Sequence, residues 1–142
     1  MTARNHSDIV ALTEALYRAD LARMQGLLVQ EARLRADLGA LEVRRHSDQD
    51  MAKDHLVGYR AAGADLLWQR WVGQSKARLN ADLARLLGRK GQVASEMRRS
   101  FGKYQAATQI AAEEARRVTQ RRDAAQMVQL EGLARLRRLQ AL

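Results

Sequence analysis

Three histidines, His6, His46 and His55, are the residues best suited to metal or acid–base chemistry, and no cysteine accompanies them. His46 and His55 stand nine apart beside Asp48, Asp50 and Asp54. Zinc needs several such ligands converging on one point, and this polar stretch reads as solvated residues near a chain reversal. No metal is expected. A nucleotide loop needs Gly, four residues and then Gly-Lys-Ser/Thr, so that successive amides cradle phosphate. The one Gly-Lys is Gly102–Lys103, with Tyr104 after it and Met97 in the first-glycine position. It supplies no cradle, and no cofactor is expected. Glu113 and Glu114 are adjacent, about 100° apart on a helix, and do not face one another as an acid–base pair. Triad chemistry needs a rigid pocket, which the elements described next do not build. The expectation is a protein without catalytic residues.

Those elements are helices. The 142 residues contain no proline and six aromatics, and their vocabulary is Ala, Leu, Arg, Gln and Glu. Strong helix formers without a breaker allow very long helices, and the absence of cysteine excludes disulfides and thiolate metal sites. The segment MTARNHSDIVALTEAL has early charges and no continuous apolar run, so it does not read as a secretory signal. No stretch approaches the roughly 18 apolar residues that cross a bilayer. A cytoplasmic protein is expected.

The first helix is expected from Ser7, as N-cap with Asp8 beside it, to about residue 57. Its apolar stripe is read as Ile9, Leu12, Leu16, then Met24 and Leu27 after an irregular step, and then Leu34, Leu38 and Leu41. The second stripe is Trp68, Val72, Leu79, Leu83, Leu86, Val93 and Met97, with Ser75 or Lys76 and Lys90 as weak points, continued by Phe101, Tyr104, Ala111, Ala115 and Val118. Alternating three- and four-residue steps of this length indicate a seam between paired helices. Between the stripes lies EVRRHSDQDMAKDHLVGYRAAGAD (42–65). Gly58, Gly63 and a capping Asp65 place the turn at about 58–64, with a rival at 46–48 where Ser47 and Asp50 could form a loose capping box. The expected fold is all-α: one coiled-coil domain over 1–142, an antiparallel hairpin with its second helix at about 65–140. Folding back at 58–64 sets Leu38 against Leu86 and Leu41 against Leu83. Leu130, Leu133, Leu136 and Leu139 recur every three residues and so wrap around the second helix.

Charge divides unevenly. Residues 1–65 hold 9 Lys/Arg and 10 Asp/Glu; residues 66–142 hold 16 and 6. The basic second half suits an acidic protein surface, nucleic acid or anionic lipid, and Arg116, Arg117, Arg121 and Arg122 are its candidate partner-binding residues. Trp71, to one side of the stripe, is the candidate aromatic anchor.

GADLLWQRWVGQSKARLNADLARLL (63–87), with tryptophans three apart soon after the turn, VASEMRRSFGKYQAATQ (93–109) and EEARRVTQRRDAAQMVQLEGLARLRR (113–138) together resemble the FliJ-like family of the bacterial flagellum and its type III secretion relatives. The likeness covers nearly the whole chain. It implies a non-enzymatic stalk of the protein export apparatus that supports motility. Its implied partners are a hexameric export ATPase, the cytoplasmic domain of the export gate membrane protein, and export chaperones. The implied location is the inner face of the cell membrane. The competing readings are a basic coiled coil that associates with nucleic acid and a structural or membrane-surface scaffold.

Overall fold

The computed structural model describes residues 3–54 and 59–141. Two helices account for nearly all of them: α1 (Ala3–Asp54) and α2 (Tyr59–Gln140). They form an all-α antiparallel hairpin, and among the described residues there is no strand. The two elements begin earlier than their capping signals suggest. Ser7 lies inside α1 and Asp65 inside α2. No proline stops Arg4–His6 or Tyr59–Ala64 from joining the helix, and Gly63, the one glycine in these two segments, costs only about 1 kcal/mol. Asp65 serves instead as an acceptor within its helix, taking a hydrogen bond from Gln69 Nε2 at 3.4 Å.

The turn expected at 58–64 is therefore displaced: 59–64 are helical, and Gly58 lies outside the described residues, as does His55. The rival at 46–48 is helical as well. The pairing of the two helices is shifted by about one helical turn from the expected one. Glu42 bonds Lys76, and Leu41 shares a groove with Leu79 rather than Leu83.

Contacts group the chain into two compact units, Ala19–Met97 and Met1–Arg18 with Arg98–Leu142. In the Ala19–Met97 unit, Met24, Leu41, Val72, Leu86 and Val93 are buried, and Leu27, Leu34, Leu38, Trp68, Leu79, Leu83 and Met97 are half-buried. In the other unit the covered positions of α1 are His6, Val10, Thr13, Glu14 and Tyr17, and those of α2 are Ser100, Tyr104, Ala107, Ala111, Glu114 and Val118.

These positions follow a strict heptad. On α1, residues 6, 10, 13, 17, 20, 24, 27, 31, 34, 38, 41 and 45 alternate steps of four and three without a break, and none is exposed. On α2 the same alternation runs from Val72 through Lys76, Lys90, Ser100 and Ala107 to Val118. The irregular step expected between Leu16 and Leu27 is absent. Leu12 (62% exposed) and Leu16 (51%) lie on the outer side of α1. Thr13, Asp20 and Glu31 hold positions of the seam, so following leucines alone leads off it. On α2, Phe101 (40% exposed) and Ala115 stand one residue past the true positions, Ser100 and Glu114.

Candidate interaction surfaces

Ion pairs cross the hairpin of the Ala19–Met97 unit at three levels, with Glu31, Lys76 and Lys90 in the seam and Arg23, Glu42 and Glu96 beside it. Glu31 is buried and receives Lys90 Nζ at 2.7 Å from across the hairpin and Arg35 at 2.6 Å from its own helix. The hydrogen bond from Lys90, then that from Arg35, holds the Glu31 carboxyl below the ordinary carboxylate range against the opposing effect of burial. Glu42 is lowered likewise, chiefly by its hydrogen bond from Lys76. Arg23 meets Glu96 at 2.7 Å, and that bond raises the guanidinium pKa. Polar partners inside a seam admit one register, because a slip leaves each charge without its mate. Lys76 and Lys90 interrupt the apolar stripe of α2, and the stripe by itself does not reveal their acceptors. Glu31 and Glu42 were legible only once the register was known.

At the end of this unit nearest the chain reversal, Trp68 and Trp71 stack with centroids 5.0 Å apart and planes 21° apart. Trp68 is half-buried over a groove lined by Arg45, Asp48, Asp65 and Gln69, and its indole N–H has no hydrogen-bond partner among the described residues. Trp71 is 48% exposed. Leu66 and Leu67 beside it are exposed too. The aromatic anchor expected at Trp71 is thus half open, with its other face on Trp68.

In the other unit, Tyr17 is the aromatic centre that the sequence reading did not identify. It stacks on Tyr104 at 6.3 Å with planes 5° apart and touches Phe101 at 5.1 Å. Phe101 is off the seam but reaches it with its ring. The signal for Tyr17 lay in the three–four spacing that joins it to Val10 and Met24.

The start of α1 packs beside Ala111, Ala115 and Val118, where His6 and Val10 line a shared groove with them. Past that point α2 has no cover: every described residue from Thr119 to Ala141 is exposed. Arg116, Arg117, Arg121 and Arg122 are all exposed. They do not form one patch. At about 100° per residue, Arg117 and Arg121 share a side, Arg116 lies away from them, and Arg122 falls on the seam side. Arg122 lines the groove at the start of α1, and Arg117 is 3.9 Å from Glu114.

Among the described residues no group of three or more His, Asp or Glu converges as metal ligands would, and no helix is long and apolar enough to cross a membrane. No protein-family model matches the chain, and no curated protein or solved structure shows significant similarity to it.

Proposed function

We propose that this chain is a non-enzymatic coiled-coil stalk of a bacterial protein export apparatus, of the FliJ-like kind. On this reading its basic second helix enters the central hole of a hexameric export ATPase. The hairpin contacts the cytoplasmic domain of the export gate and escorts empty chaperones at the inner face of the membrane. The supporting observation is the open end of α2: every described residue from Thr119 to Ala141 is exposed, and the segment carries five arginines, Arg121, Arg122, Arg135, Arg137 and Arg138. A helix end that is exposed all round and basic is suited to insertion in an acidic lumen, where charge attraction speeds entry without requiring a slow-leaving fit.

The test is association of the full chain with a hexameric export ATPase by pull-down and stopped flow. Reversal of Arg116, Arg117, Arg121 and Arg122 to Glu slows association, and the wild-type advantage shrinks as salt screens charges beyond about 10 Å at 0.1 M. Reversal of Arg33 and Arg44 on α1, both exposed, changes it little. Arg35 is unsuitable as a control because it bonds Glu31. If the ATPase binds the four-residue variant as well as wild type, and wild type alone retains duplex DNA at physiological salt, the stalk reading fails and nucleic-acid association replaces it.

A further inference from the structure

The end of α2 has a second property that charge alone does not use. Met127, Val128, Leu130, Leu133, Leu136 and Leu139 are each 58–69% exposed, a dense run of large apolar side chains on one uncovered helix. At about 100° per residue, leucines three apart step back by about 60°, so the four of them cover an arc of about 180°. Val128 falls beside Leu139 and extends that arc, and Gln129 is the main polar interruption near its middle. Arg135 and Arg137 fall near its two edges. Arg138 and Glu131 occupy the opposite side.

This pattern selects among occupants. A partner helix follows a stripe that repeats every 3.5 residues; against a three-residue repeat it covers about two of the leucines and leaves the others in water. A groove that accepts a helix likewise reads one narrow face at i, i+3 or i+4, and i+7. A second copy of the same segment brings five arginines against five, with only Asp123 and Glu131 to offset them. A lipid surface accepts a broad apolar arc, because acyl chains have no register. Arginines at the arc's edges then extend toward phosphates while their methylenes stay in the apolar layer. The segment is too short to do more: Met127–Leu139 is about 20 Å long, against about 30 Å for a hydrocarbon core.

We propose that residues 127–139 of α2 form an interfacial helix that lies flat on an anionic bilayer, with Leu130, Leu133, Leu136 and Leu139 in the acyl boundary and Arg135, Arg137 and Arg138 toward the headgroups. This segment lies within the end of α2 on which the stalk reading rests, but vesicle binding requires no ATPase and the charge-reversal test of that reading uses Arg116, Arg117, Arg121 and Arg122, so the failure of one is distinguishable from the failure of the other.

The experiment is co-sedimentation of the full chain with vesicles of phosphatidylcholine, alone or mixed with phosphatidylglycerol. Wild type sediments with the mixed vesicles and not with phosphatidylcholine alone. Arg135→Gln, Arg137→Gln and Arg138→Gln together weaken binding on the order of 100-fold, since each cation near an anionic surface contributes about 1 kcal/mol. Leu133→Gln with Leu136→Gln lowers binding to background while the melting temperature and the sedimentation coefficient of the free chain stay at wild-type values. Leu139→Trp gives an indole whose emission shifts to shorter wavelength when mixed vesicles are added. The proposal is overturned by absence of wild-type binding to the mixed vesicles, or by a leucine-pair variant that binds as well as wild type. A leucine-pair variant that changes the oligomeric state also overturns it, in favour of a second copy as the occupant.

Discussion

Single side chains of this hairpin differ sharply in what they contribute, and burial rather than residue type sets the difference. Leu86 is 2% exposed, whereas Leu12 is 62% exposed. Leu86→Ala removes packed methyl groups and leaves a cavity, which costs about 2–5 kcal/mol; Leu12→Ala changes stability by about 0.5 kcal/mol or less. Denaturant melts of the two variants measure both. Equal effects would return Leu12 to the seam. Glu31 contributes through charge. Its folded-state pKa lies below the ordinary value because Lys90 and Arg35 hydrogen-bond its ionised form, and Glu42 is lowered in the same sense by Lys76. A depressed carboxylate adds stability above the unfolded-state pKa, and that stability disappears as pH falls through the folded-state value. The melting temperature is therefore expected to fall on acidification below about pH 4.5, the ordinary carboxylate range. Glu31→Gln is expected to lower the melting temperature at neutral pH and to flatten that acid limb. An unchanged acid limb would show that the Glu31–Lys90 bond carries no linkage.

At the scale of the element, both helices run through residues that usually interrupt helices. Gly88, Gly91 and Gly102 sit within α2 with no positive φ, and a Cβ at any of them would meet nothing within 4 Å. Nothing in their surroundings requires glycine. Gly88→Ala and Gly91→Ala are each expected to stabilise the chain by up to about 1 kcal/mol, through reduced backbone freedom in the unfolded state. Thermal melts of the single and double variants check this. A loss of stability would instead point to a bend at Gly88–Gly91, which the sequence allows. The polar seam residues act at this scale too. Lys76, Lys90, Glu31 and Glu42 fix which turn of α1 faces which turn of α2, a choice that leucine against leucine leaves open.

At the scale of the whole molecule, protection is unequal along the second helix. The part of α2 from Val72 to Val118 has a seam, and the part from Thr119 to Ala141 has none. Most helix stability in proteins comes from packing one face, and a helix without it is marginal in water. Amide exchange is therefore expected to be markedly faster over 119–141 than over 72–118. Anionic vesicles are expected to slow exchange over 127–139 alone. Equal protection along α2 in the free chain would mean that the distal segment is covered by something other than α1, such as a second copy.

The sequence by itself determined the fold class. Proline is absent, helix formers dominate, and two stripes with a polar interval between them allow little but a helical hairpin. It also determined most of the α2 seam, where Val72, Leu79, Leu83, Leu86, Val93 and Met97 are large, apolar and correctly spaced. On α1 it determined the seam at Met24, Leu27, Leu34, Leu38 and Leu41 but not the rest, because Thr13, Asp20 and Glu31 occupy three of the seam's positions while Leu12 and Leu16 sit outside it. Hydrophobicity marks a seam only where the seam is hydrophobic. The tertiary structure decided the register, and with it the partners of Lys76 and Lys90, since pairing depends on where the chain reverses and several reversals were chemically acceptable. It likewise decided that the leucines of 130–139 have no partner within the described chain. Their spacing was legible from the beginning, but whether an apolar face is covered depends on how far the opposing helix extends alongside it.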